Sequence, residues 1–107
     1  MVAEISPEEF RSLLASDADL RVADVRTKIA YDRGHIPGSE HVPLHSISEH
    51  VADLADASII VTVCPHGEAS KQAVTLIRSY EGIDEDTRVA SLSGGLDAWD
   101  EELEASD

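Results

Sequence analysis

The sequence predicts an α/β domain with a mainly parallel central sheet and helices on both sides. Three observations carry this. Strand-length apolar runs alternate with stretches of helical spacing along the chain, the pattern of strands joined by helical crossovers, which are expected to be right-handed. The run Ile59-Ile60-Val61-Thr62-Val63 is apolar apart from its threonine and β-branched throughout, as a strand covered on both faces requires. Finally, 107 residues with 42% apolar content supply one core and not two. Residues 1–107 are therefore read as a single domain, with its core over about 4–103 and a short acidic C-terminal tail.

Ser6-Pro7-Glu8-Glu9 places a capping hydroxyl, a proline at the first helical position and a carboxylate three residues after the cap, ahead of Phe10, Leu13 and Leu14. A helix over 7–15 follows from that. After the polar break at 16–19, Leu20, Val22, Ala23 and Val25 form a buried strand. Gly34, Pro37, Gly38 and Pro43 then mark 33–44 as an ordered, turn-rich connection. Ser46-x-x-Glu49 reads as a second capping box, opening a short helix with Ile47, Val51 and Leu54 on one face. The strand 59–63 ends at Cys64. From Ser70, residues Ala73, Val74, Leu76, Ile77 and Tyr80 recur at helical spacing, with Gly82 closing the helix. Val89, Ala90 and Leu92 make another short strand, and Ser93-Gly94-Gly95 turns into a last helix carrying Leu96, Trp99 and Leu103.

The 22 acidic residues against 8 Lys and Arg give a net charge of −14. Such a surface repels nucleic-acid backbones and anionic membranes, so neither is expected as a partner. The longest apolar run is far shorter than the roughly 20 residues of a membrane span. No basic start leads into a long apolar stretch, and the expected location is the cytoplasm. With only Lys28 and Lys71 as lysines and a dense acidic run from Asp97 to Asp107, the composition is that expected of a halophile's protein.

The single cysteine, Cys64, excludes an intrachain disulfide and a Cys-x-x-Cys metal knuckle. It falls where the strand 59–63 meets a glycine-containing loop before a helix, and ligands of parallel α/β sheets bind at this end of the strands. The loop Cys64-Pro65-His66-Gly67-Glu68-Ala69-Ser70 is short enough to curl around the sulfur. All its backbone N–H groups except that of Pro65 are then available to stabilise a thiolate. The alternative is a buried packing cysteine. His41, His45 and His50 lie in a proline-marked region without metal-site spacing, and no metal ligand is assigned.

Four stretches carry a family likeness: Val22-Ala23-Asp24-Val25-Arg26-Thr27; Gly34-His35-Ile36-Pro37-Gly38 with Pro43; Cys64-x-x-Gly67-x-x-Ser70; and Leu92-Ser93-Gly94-Gly95 with Ala98-Trp99. In this order, over about 80 residues, they resemble the rhodanese-like sulfurtransferase domain in its small single-domain form. The resemblance implies that Cys64 takes a sulfane sulfur from a donor, holds it as a persulfide within the loop 65–70, and passes it to a nucleophilic acceptor. No metal or organic cofactor is implied. The donor would be thiosulfate, mercaptopyruvate or a protein persulfide. The acceptor would be a thiol or a protein of tRNA thiolation, cofactor assembly or ubiquitin-like sulfur carriage.

The chain departs from the thiosulfate-using pattern, in which arginine commonly follows the cysteine and another precedes the serine; Pro65 and Ala69 stand there, and Glu68 adds a negative charge. That favours a sulfur carrier over an efficient thiosulfate:cyanide enzyme, with a non-catalytic rhodanese-like binding or regulatory module as the alternative. Phosphatase and arsenate-reductase relatives place an arginine where Ser70 stands, so phosphoryl transfer lacks its clamp. Of the supporting residues, Asp24 and His35 read as scaffold, while Arg26 and Lys71 are candidates to attract an anion. Arg26 could equally pair with a carboxylate. His66 can attract a donor when charged or accept a proton when neutral.

Overall fold

The structure, a computed structural model, describes residues 2–105, so that Asp107, the last acid of the tail, lies outside the described residues. Strands β1 (Glu4–Ile5), β2 (Leu20–Asp24), β3 (Glu40–His41), β4 (Ile59–Val63) and β5 (Arg88–Leu92) form one five-stranded parallel sheet in the order β1-β5-β4-β2-β3. β4, the most apolar strand, takes the centre.

Successive strand residues point to opposite faces, and the two faces bury separate cores. Val22, Val61, Val63, Ala90 and Leu92 pack with Phe10 of helix α1 (Pro7–Leu14) and with Trp99. Ala23, Ile60 and Val89 pack on the other face, with Cys64, against helices α3 (Val51–Leu54) and α4 (Glu68–Arg78). Helices therefore cover both sides of the sheet. α1 starts as its sequence requires: the Ser6 hydroxyl accepts the Glu9 N–H at 3.1 Å and Pro7 occupies the first turn.

One helix goes beyond the expectations from sequence, and four of those expectations are corrected. The stretch before Gly34 holds helix α2 (Lys28–Arg33), capped by the Thr27 hydroxyl accepting from Ala30 N at 3.3 Å. Its local signals are the Thr27 cap and the Lys28–Asp32 ion pair one turn apart. The Ser46 capping box does not form. Leu44–Glu49 is a 3-10 segment interrupted by non-helical backbone at Ser46, whose hydroxyl donates back to the Pro43 carbonyl. Ile47, Val51 and Leu54 are buried all the same. α4 begins at Glu68, two residues before Ser70, because Gly67 at φ 97° lets the chain enter the helix directly from the loop; Ser79, and not Gly82, ends it. Leu76 and Tyr80, expected on its apolar face, are partly exposed.

The last helix is reduced to a 3-10 turn over Gly95–Ala98, after which Trp99 is extended. Leu103 does not join a helical face with Trp99. Instead the chain runs back so that Glu104 and His35 exchange backbone hydrogen bonds of 2.8 and 2.9 Å, which sets Leu103 over Gly34.

Candidate active site

The carboxyl ends of β2, β4 and β5 bring together the four motif stretches. Cys64 directly follows β4, and its Sγ is buried beneath the loop. Gly67 N–H donates to Sγ at 3.0 Å, and the Ser70 hydroxyl lies 3.3 Å from it. A cysteine kept for packing needs neither group. As a thiol, Cys64 donates to the Ser70 hydroxyl while accepting from Gly67; once the sulfur is an anion the same hydroxyl can turn to donate to it, which suits a charged sulfur species held at the start of a helix. Ser70 reaches the sulfur because α4 starts at Glu68, which turns Ser70 inward on the first helical turn. Thr62, one position before the end of β4, donates its hydroxyl to the Ser70 carbonyl at 2.8 Å and fixes that turn against the sheet.

The loop is held from outside by the Gly94-Gly95 turn. Leu96 N–H donates to the Cys64 carbonyl at 2.8 Å and Asp97 N–H to the Pro65 carbonyl at 3.0 Å. Gly95 has φ 64°, and a Cβ there would stand 2.3 Å from the Cys64 carbonyl oxygen, so only glycine permits this approach. Gly67, at φ 97°, faces the same turn.

The charged residues named from the sequence are mostly held by partners within the fold. Asp24 is completely buried and accepts from Arg26 N, Nε and Nη2 at 2.7–3.1 Å. Arg26 Nη2 also donates to the Gly34 carbonyl at 2.6 Å. The guanidinium is thus occupied in tying β2 to the Gly34 turn, the carboxylate pairing that was one of the two options for Arg26. His35 is buried, stacked on Tyr31 at 3.9 Å, with Nδ1 2.8 Å from the Tyr31 carbonyl. Lys71 lies 3.7 Å from Glu4 of β1. Pro65, His66 and Glu68 are exposed on the loop and Ala69 is half-buried. His66 Nδ1 pairs with Asp97 Oδ2, joining the loop to the turn that clamps it. Arg26, Lys71 and His66 thus each have a carboxylate partner, whereas His35 is held by a backbone carbonyl.

Among known proteins, the family described as Rhodanese-like domain matches residues 6–102. The chain belongs to the rhodanese-like family. It is 35% identical over 95 residues to a protein named thiosulfate sulfurtransferase GlpE from Pseudomonas paraeruginosa, covering 89% of this chain and 81% of that one. It is 30% identical over 98 residues to YrkF of Bacillus subtilis, whose name proposes a sulfur carrier protein, covering 92% of this chain but only 51% of the relative. The crystal structure of a rhodanese-like domain protein from Staphylococcus aureus superposes with a TM-score of 0.85 at 26% identity, over 99% of this chain and 100% of that one. These likenesses support sulfurtransferase activity at the level of the family.

Two members of this rhodanese-like site escaped the sequence reading. Asp97 was read only as part of an acidic run, yet it meets His66 across the loop. Ser91 carried no motif at all, yet its hydroxyl lies 2.6 Å from that of Ser70. Neither contact has a local signal, since each joins residues far apart in sequence.

Proposed function

We propose that this domain is a sulfurtransferase in which Cys64 carries the moving sulfur as a persulfide. In the first half-reaction the Cys64 thiolate attacks the outer sulfur of the donor. A Cys64 S–S bond forms, the donor's bond to that sulfur breaks, and the donor leaves with the electron pair: as a thiolate from a persulfide, as sulfite from thiosulfate, or, from mercaptopyruvate, where a C–S bond breaks, as the enolate of pyruvate. In the second, an acceptor thiolate or cyanide attacks the outer sulfur and Cys64 leaves as thiolate. The observation that supports this most directly is the pair of hydrogen-bond groups on Sγ: Gly67 N–H already donates to it, and the Ser70 hydroxyl needs only to rotate its proton to stabilise a sulfur anion.

The pairing of Arg26, Lys71 and His66 with carboxylates, together with exposed Glu68, favours a donor that brings little negative charge to the loop. A persulfide presented by a protein fits that better than dianionic thiosulfate. A groove of about 460 Å³ lies along the ends of β2 and β3, with Val25, Pro43 and Leu44 among its walls. Thiosulfate as donor is the second reading, supported by the names of the GlpE relatives. The proposal extends to a thiol or protein acceptor and to a cytoplasm rich in salt, on the support of the −14 net charge. Among the described residues no helix is long and apolar enough to cross a membrane.

Intact-mass spectrometry in high salt, after exposure to thiosulfate, mercaptopyruvate or a protein persulfide, tests this. The expected result is a gain of one sulfur atom that Cys64→Ser abolishes, largest with the protein persulfide. No gain from any donor would leave a rhodanese-like binding module.

A further inference from the structure

Ser91 is fully buried in β5, on the face shared with Val89 and α4, directly opposite Thr62 of β4, whose own hydroxyl is taken by the Ser70 carbonyl. Its backbone N–H is satisfied by the Ala3 carbonyl at 3.0 Å. The sheet needs nothing from its side chain, and a buried hydroxyl is costly unless hydrogen-bonded. That hydroxyl has one partner among the described residues, Ser70 Oγ at 2.6 Å, and Ser70 Oγ in turn lies 3.3 Å from Cys64 Sγ. The three groups form a chain from the middle of the sheet to the sulfur.

We propose that Ser91 is a positioning residue for Cys64, acting through Ser70 to set the direction of this hydrogen-bond chain; the proposal rests on the sulfurtransferase reading above. Each serine has one proton to donate. If the thiol donates to Ser70 and Ser70 to Ser91, the Ser91 proton points into the core with no acceptor. If the sulfur is an anion, the chain runs the other way: Ser91 donates to Ser70, Ser70 donates to Sγ, and every hydroxyl proton is used. A buried donor left without an acceptor is the more costly state, so Ser91 favours the direction that serves a charged sulfur. Donation from Ser91 also polarises the Ser70 hydroxyl, strengthening its bond to the anion, and holds its rotamer on Sγ. The charged groups around the loop, His66 with Asp97, Glu68, Lys71 with Glu4 and Arg26 with Asp24, do not touch Ser91 and stay the same when it is changed.

Threonine and valine have the same shape and differ in the hydroxyl, so Ser91→Thr and Ser91→Val separate the relay from packing. Cys64 is the only cysteine, and its rate of alkylation by iodoacetamide at one neutral pH reads the reactive thiolate directly. Ser91→Val should react about three- to tenfold more slowly than wild type, the effect of one hydrogen bond, with Ser91→Thr within about twofold of wild type. Equal rates for the two variants, whether both fast or both slow, would overturn the proposal. Circular dichroism establishes that each variant is folded. Should valine prove too large for the strand, threonine, of the same shape, is too large as well, and Ser91→Ala is then compared with wild type, with the same slowing expected and an unchanged rate decisive against the relay. Alkylation needs no sulfur donor. Failure of wild-type protein to gain sulfur would therefore remove the sulfurtransferase reading alone, whereas equal alkylation rates would remove the relay alone.

Discussion

Gly95→Ala is the substitution that most directly tests how the loop is held. The added Cβ would lie 2.3 Å from the Cys64 carbonyl oxygen and 2.6 Å from both the carbon and oxygen of the Pro65 carbonyl, all of them backbone atoms. These are the two carbonyls that accept from Leu96 and Asp97. Relief of the clash must therefore push the loop away from the turn and weaken both bonds. A non-glycine residue at φ 64° costs about 1–2 kcal/mol. Overpacking adds about 1–3 kcal/mol, and the weakened hydrogen bonds roughly 1 kcal/mol more. The sum, about 3–6 kcal/mol, is a large share of a typical stability of about 5–15 kcal/mol. Gly38→Ala is the control. Gly38 also has positive φ, 85°, but nothing lies within 4 Å of its missing Cβ, so only the backbone cost applies. At about 4–8 °C per kcal/mol for a domain of this size, thermal unfolding should fall by about 10 °C for Gly38→Ala and by about 20 °C or more for Gly95→Ala. Sulfur uptake by Cys64, measured by intact mass below the unfolding temperature, should be lost only in Gly95→Ala. Equal shifts in Tm for the two alanines, or full sulfur uptake by Gly95→Ala, would refute the argument that this contact shapes the loop.

Three further outcomes are expected. Asp24→Ala strands the Arg26 guanidinium beside a buried vacancy and should cost about 3–5 kcal/mol in urea unfolding; a loss under about 1 kcal/mol would contradict the pairing described here. The hydrogen bond from Arg88, opposed by burial and reinforced by charge attraction, holds the exposed Glu9 carboxyl below its ordinary value. Because the folded value is the lower one, this stabilisation is present above the unfolded carboxylate range of about pH 4 and is lost as pH falls through the folded value. Glu9→Gln should thus lower Tm at neutral pH and converge with wild type in strong acid, whereas a gap constant with pH would contradict it. Glu68→Gln should raise the rate of sulfur uptake from thiosulfate several-fold at low salt, with the advantage fading towards 1 M salt, where screening acts over about 3 Å. No gain at low salt would remove Glu68 from the account of donor preference.

The parts of the domain that the sequence discloses are those whose physics is local. β4 is legible because its β-branched run carries the burial signal within five residues, and Cys64 is legible as a site because it directly follows that strand. α1 is legible through a cap formed within three residues. Opaque parts depend on partners that arrive from elsewhere. β1 and β3 are two residues each, too short for any periodicity, and exist because β5 and β2 offer them a ladder. Arg26 reads equally as an anion trap or an ion pair until the fold sets the Gly34 carbonyl against its guanidinium. The acidic run from Asp97 reads as solvated surface, yet its first member meets His66. Ser91 is the extreme case. In sequence it is one polar interruption in a short strand, and its value comes from two placements outside its own segment: β5 beside β4, and α4 entering from Gly67 early enough to turn Ser70 inward. On the proposed function, the loop motif therefore identifies which atom reacts. The groups that tune that atom come from strand order and helix start, and those follow from the packing of the whole chain.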